Sequence, residues 1–207
     1  MGRRAARGRS TDGSSYDGGA FVRGEILHVS EHMHADSRSP LTVRDAETVD
    51  IPALTAIKGA GSEALHRDRL KDAQRSDIRY LVLVMNQAVI GLACLVLRRP
   101  ASWSDADDPH HLPQIVDLQV QEAQRGQGYG SAFVRAIERI AAAEGYAHLY
   151  LSVDPLANPR AYALYQQLGY QQIQAEPYRK TWGFTDSEGQ VHHGKDWLVD
   201  MVKQVQG

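Results

Sequence analysis

Ile115-Val116-Asp117-Leu118-Gln119-Val120, followed after four residues by Arg125-Gly126-Gln127-Gly128-Tyr129-Gly130, decides how this chain is read. The first run is β-rich. The residues after Gly130 carry Phe133, Val134, Ile137, Ile140 and Ala141 at helical spacing, up to a natural C-cap at Gly145. A strand therefore feeds a helix through a turn with glycine at every second position. Missing Cβ atoms let backbone N–H groups come close to a phosphate, and a helix start adds unpaired donors and the positive end of its dipole. Arg125 adds a charge at the same rim. Glycines in helical positions cost roughly 0.5–1 kcal/mol each against alanine, which makes a turn without a ligand the weaker explanation. A P-loop would need Gly-Lys-Ser/Thr, and no such tripeptide exists. A dinucleotide fingerprint fails because Ser131 stands where its third glycine belongs. Asp154, after the next strand, stands roughly where a ribose-binding acid lies, so a nicotinamide-dependent oxidoreductase stays open as a runner-up.

Downstream, Leu149, Leu151 and Val153 alternate with His148, Tyr150 and Ser152, the period of a strand. Asp154-Pro155 stops it. Asn158 is read as the cap of a helix that opens with Pro159 and runs through Leu164 and Leu168 to Gly169. Two strands follow, joined by Asp186-Ser187-Glu188-Gly189, the second over Trp197 to Val205 with Trp197, Val199 and Met201 on its core face. Trp182 and Tyr178 either line an acceptor pocket or pack this hairpin, and packing is the expectation. His192 and His193 are adjacent, so they point to opposite sides and do not share a metal.

Upstream, Leu41 to Arg44 is a short strand. A helix is expected over Ala46 to Ile57, with Pro52 in an early turn. A second, amphipathic helix follows Ser62 and carries Leu65 and Leu70. Ile78 to Met85 and Ala88 to Leu97 form a hairpin around Asn86-Gln87. Ala101 to Pro113, including Trp103, reads as a surface loop. Cys94 sits in an apolar run and reads as a small buried hydrophobe.

The glycine turn resembles the acetyl-CoA loop of the GNAT superfamily of N-acetyltransferases, whose pattern is Arg/Gln-x-x-Gly-x-Gly/Ala. The run Asn158-Pro159-Arg160-Ala161-Tyr162-Ala163-Leu164-Tyr165-Gln166-Gln167-Leu168-Gly169-Tyr170 resembles that family's second signature, Asn-x-x-Ala-x-x-Leu-Tyr-x-x-x-Gly-Phe/Tyr. The resemblance covers Leu41 to Val205. It implies an α/β fold with a mixed, mostly antiparallel sheet of about six to seven strands, a central splayed parallel pair (115–120 and 149–153) and flanking helices. It implies acetyl-CoA as co-substrate, a primary amine of a small molecule or protein as acceptor, and no metal. The pantetheine arm would pair with backbone near Leu118 and Val120, and the pyrophosphate would rest on Gln127 to Gly130 beside Arg125 and Gly126. Asn158 would face the cofactor and Tyr165 would be the general acid. Asp117 is a candidate general base, on the strand where several relatives carry a glutamate. His148 and Glu176 are further candidates, both more readily structural. Ribosomal-protein acetyltransferases often carry a glutamate at the position of Ser152, a departure that counts against that acceptor class. A GNAT-fold acetyl-CoA sensor without catalysis is the other runner-up.

Hydrophobic residues make up 43% and charged residues 23% of 207, an ordinary globular balance, and the net charge of −2 points to neither nucleic acid nor membrane. A single cysteine forbids an internal disulfide and suits a cytoplasmic protein, monomer or homodimer. Residues 1–39, with Arg3, Arg4, Arg7 and Arg9 and a Gly/Ser-rich stretch, read as a disordered tail ahead of a domain over 40–207. Met33 is a second candidate start within it.

Overall fold

The computed structural model describes residues 27–28, 40–74, 78–97, 112–185 and 191–205. The loop at 101–111 with Trp103, the turn Asp186–Gly189 and the side chains of Trp182 and His192 lie outside the described residues, as does the segment 1–39 apart from 27–28 and Pro40.

Among the described residues, nine strands and four α-helices follow one another as β1 (Leu27–His28), β2 (Leu41–Asp45), α1 (Ile51–Lys58), α2 (Glu63–Ala73), β3 (Ile78–Met85), β4 (Ala88–Val96), β5 (Gln114–Val120), α3 (Tyr129–Ala143), β6 (His148–Val153), α4 (Pro159–Gln167), β7 (Gln171–Gln172), β8 (Tyr178–Thr185) and β9 (Val191–Gln204). The sheet runs β1-β2-β3-β4-β5-β6-β9-β7, with β8 paired to β9. Every pairing is antiparallel except β5 with β6. The two strands beyond the expected seven, β1 and β7, are two residues each, too short to carry a pattern. β1 falls within the stretch expected to be disordered: Leu27 and His28 pair with Val43 and Thr42 on the open edge of β2.

The hairpin turn carries Asn86 at φ 49° and Gln87 at φ 65°, the two positive values of a type I′ turn. The sheet has two covered faces. On one, α3 and α4 bury Phe133, Val134, Ile137 and Tyr165 against Leu149, Leu151, Val153, Val199 and Met201. On the other, Leu54 of α1 packs with Tyr80, Val82, Leu92 and Cys94. Cys94 is buried, as its apolar neighbours implied, and desolvation pushes its thiol up to about 11. A Cβ at Gly91 would stand 2.9 Å from the Gln119 carbonyl oxygen and 3.6 Å from Phe133, so that position on β4 has room only for hydrogen.

Trp197 corrects one expectation. It is 50% exposed, whereas Val199 and Met201 on the same strand are buried. Pairing of β9 with β6 begins only at Val199; from 191 to 198 the strand pairs with β8 alone. An alternating pattern buries a residue only where a second layer lies over it.

Candidate active site

β5 and β6 are hydrogen-bonded neighbours at only two positions, Gln114 with Tyr150 and Ile115 with Leu151. Beyond them the strands part, and the β6-facing edge of Val116 to Val120 has no sheet partner. β5 also carries one extra residue opposite β4, since Leu92 faces Gln119 while Cys94 faces Val116. Asp117 takes φ 53° at this bulge, a conformation that aspartate tolerates better than most residues. The extra residue turns Asp117 to the α1–α2 face, where Lys58 and Arg69 meet it, and leaves Leu118 against the α3 core.

The glycine turn closes the wide end of this gap. Gly126 and Gly128 have φ values of 77° and 86°, and Gly128 is the N-cap of α3. The left-handed conformation explains glycine at both positions. No side chain caps α3, so the first N–H groups of the helix are left to face outward. Arg125 Nε donates to the Val120 carbonyl at 2.9 Å and ties the turn to the end of β5. A Cβ at Gly130 would meet a Leu164 methyl at 3.5 Å, which shows how closely α4 lies against the start of α3.

Within α4, Tyr165 is 8% exposed and sits edge-on to Tyr170 with ring centroids 5.9 Å apart. Desolvation pushes its phenol up to about 12, so it holds its proton at neutral pH. Asn158 is exposed and its side chain makes no cap hydrogen bond, contrary to the capping role expected for it. Asp154 instead orders the turn: its Oδ1 accepts from the Leu156 and Ala157 amides at 2.8 Å, and its Oδ2 from the Trp197 amide at 3.3 Å. These backbone bonds lower its pKa. The carboxylate that a ribose hydroxyl would need is thus engaged in the chain's own turn.

Two polar clusters occupy the sheet face opposite α3 and α4. In the first, Asp117 accepts from Lys58 Nζ at 2.7 and 2.8 Å, from Arg69 Nη1 at 2.6 Å and from Gln119 Nε2 at 2.7 Å. Burial acts to raise its pKa; the charges of Arg69 and Lys58 outweigh that and hold it below the ordinary carboxylate value. A carboxylate so engaged is a weak proton acceptor. Arg69 also lies over the Tyr80 ring, and Tyr80 bonds to His66 Nδ1 at 2.7 Å, so α2 is fastened to β3 through the same network. Burial lowers the His66 pKa and keeps that ring neutral.

In the second cluster, Ser152 Oγ and Tyr178 Oη donate to Asp200 Oδ1 at 2.6 and 2.9 Å, and Gln114 Nε2 lies 3.5 Å from Ser152 Oγ. Asp200 is 7% exposed. Sequence reasoning missed Asp200, Lys58 and Arg69 as members of these clusters, while Tyr178 is among the pocket residues it weighs. A charged residue between the core positions Val199 and Met201 was the available signal for Asp200. For Lys58 and Arg69 there was none, since they reach Asp117 across 59 and 48 residues. His148 and Glu176 are exposed. Among the described residues, no three His, Cys, Asp or Glu side chains are placed to hold a metal ion, and no helix is long and apolar enough to cross a membrane.

A mixed sheet with one splayed parallel pair, a glycine turn opening a helix at the mouth of the splay, and a tyrosine-bearing helix beside it make up the architecture of an acyltransferase fold. The profile described as Acetyltransferase (GNAT) family matches residues 46–170, more than half of the chain, and the chain belongs to that family. A comparison with curated protein sequences gives no match. Solved structures with the same fold include an N-acetyltransferase from Staphylococcus aureus Mu50, at 18% identity over 80% of this chain and 99% of that one, with a TM-score of 0.57. A ribosomal-protein-alanine N-acetyltransferase from Brucella melitensis matches at 19% identity, covering 78% and 98% of the two chains, with a TM-score of 0.55. A GNAT superfamily phosphinothricin acetyltransferase from Sinorhizobium meliloti, solved in complex with acetyl-CoA, matches at 20% identity, covering 80% and 89%, with a TM-score of 0.56.

Proposed function

We propose that the protein transfers the acetyl group of acetyl-CoA to a primary amine of a small molecule or protein. The observation that carries this reading is the parting of β5 and β6 after Ile115, directly beside a helix start whose glycines leave its amides uncovered. The pantetheine arm would add to the open edge of β5 at Leu118 and Val120, as a partial strand; the Val120 carbonyl, already bonded to Arg125, has a second lone pair for it. The pyrophosphate would take the amides of Gln127, Gly128, Tyr129 and Gly130, with Arg125 and Gly126 shaping the rim. Asn158, exposed at the start of α4, would reach the cofactor with its carboxamide. Tyr165, neutral at working pH, would give its proton to the departing sulfur. Asp117 would act as a positioning residue that locks α1 and α2 over the cleft, because its ion pairs leave it little basicity.

Acetyl-CoA and NAD binding, measured by calorimetry, together with thiol release over an amine panel of polyamines, aminoglycosides, amino acids and peptides, tests the reading. Acetyl-CoA should bind and NAD should not, and at least one amine should release CoA. Failure to bind acetyl-CoA refutes the proposal. Binding without thiol release from any amine identifies a sensor instead.

A further inference from the structure

The transfer reading gives Asn158 a hydrogen bond to the cofactor, yet α4 itself does not fix that residue. Its carboxamide makes no cap bond, and its backbone, at φ −127° and ψ 57°, is not helical. Packing does not fix it either, since Ala157 and Asn158 are exposed and Leu156 is 80% exposed. Hydrogen bonds remain, and they converge on Asp154. The Asn158 amide donates to the Asp154 carbonyl at 2.9 Å. The Leu156 and Ala157 amides donate to Asp154 Oδ1, both at 2.8 Å. Pro155 has no amide hydrogen. Every N–H from 155 to 158 is therefore held by one residue, main chain and side chain together. Asp154 Oδ2 accepts from the Trp197 amide at 3.3 Å, so the turn is tied to β9 as well as closed on itself.

We infer that Asp154 is a positioning residue of the transfer reaction: its carboxylate forms the 155–158 turn in advance and so presents Asn158 to the cofactor. The inference rests on the reading of Asn158 as a cofactor contact. A segment ordered before binding loses less conformational entropy when the ligand arrives. The sign of the effect separates this role from a plain effect of charge. The phosphates of acetyl-CoA are anionic, so removing an acidic side chain for its charge alone strengthens binding. Loss of the turn weakens it.

Calorimetry of acetyl-CoA binding to the full chain is the test. Asp154→Ala should raise Kd about tenfold. Asp154→Asn keeps an Oδ1 acceptor for the Leu156 and Ala157 amides and should stay within about threefold of wild type. Asp154→Glu keeps the charge but carries it one methylene beyond the turn, and it should weaken binding as alanine does. In an Asn158→Ala background, Asp154→Ala should add less than about threefold, because the residue through which it acts is gone. A merely structural role gives the same loss in both backgrounds. Such full additivity overturns the inference and leaves the transfer reading standing. So does an unchanged or lower Kd in Asp154→Ala, a wild-type Kd in Asp154→Glu, or an Asn158→Ala protein that binds as wild type does. A wild-type protein that fails to bind acetyl-CoA overturns the transfer reading, and this inference with it. Should Asp154→Ala not fold, Asp154→Asn against Asp154→Glu in the two backgrounds makes the same comparison, and equal affinities for that pair overturn the inference.

Discussion

Replacing Asp117 by asparagine should cost stability rather than base catalysis, and the structure sets the size of the effect. Asparagine is the substitution of choice because φ is 53° there, a conformation asparagine tolerates and alanine does not. The exchange keeps the side-chain shape and removes the charge facing Lys58 and Arg69. Side-chain exposures of 14% for Asp117, 27% for Lys58 and 19% for Arg69 put the cluster between a surface pair, worth up to about 1 kcal/mol, and a fully buried one, where loss of a partner costs about 3–5 kcal/mol. We expect about 2–3 kcal/mol, which for a chain of this length lowers Tm by about 4–12 °C. The pH dependence has a definite sign. The folded-state pKa of Asp117 lies below its ordinary value of 3.8. The contribution is therefore fully present above that value and is lost as pH falls through the depressed one, when the carboxylate takes up a proton. Thermal unfolding followed by circular dichroism at pH 7 and again in acid should show a gap between wild type and variant that closes in acid. A variant within about 1 °C of wild type at pH 7 refutes the strength assigned to the cluster. A gap that persists undiminished in acid refutes its ionic origin.

Two substitutions test the cofactor cleft. Gly128→Val places a β-branched residue at φ 86°, a strain of about 1–2 kcal/mol, and covers the amides proposed to take the pyrophosphate; calorimetry should show weakened acetyl-CoA binding with the circular dichroism spectrum retained, and an unchanged affinity would remove the glycine turn from the proposed cleft. Tyr165→Phe keeps the ring packed on Tyr170 but deletes the proton, so kcat should fall by about tenfold or more with the KM for acetyl-CoA unchanged, and wild-type turnover under chemistry-limited conditions would make Tyr165 a packing residue only.

What the sequence made legible was local. Asn86-Gln87 announced its turn, the apolar spacing from Phe133 to Ala141 announced α3, and the glycines at 126 and 128 stand where left-handed backbone is required. Each of these is decided by a residue and its near neighbours. The bulge at Asp117 exists only in the pairing of β5 with β4, where one extra residue lies between the partners of Leu92 and Cys94, so strict alternation along β5 gives no notice of it. The partners of Asp117 come from α1 and α2 and depend on how those helices cross the sheet. Trp197 reads as core because its spacing to Val199 is right; the layer that buries Val199 does not extend to it.

The division of labour between the two sheet faces follows from the same geometry. A strand whose alternate residues must seal an apolar core has no freedom on that face, and Leu151, Val153, Val199 and Met201 are all committed to it. The polar residues between them are Ser152 and Asp200, and they meet on the opposite face, where the Ser152 hydroxyl donates to Asp200 Oδ1 at 2.6 Å. Cross-strand neighbours on one face stand about 5 Å apart, close enough for their side chains to bond and for two like charges to repel. A test follows from the pairing: Ser152→Glu in the presence of Asp200 sets two acidic groups against each other across β6 and β9, and the paired replacement with Asp200→Ser should be the more stable of the two variants in thermal unfolding followed by circular dichroism, whereas equal melting temperatures would refute the like-charge cost.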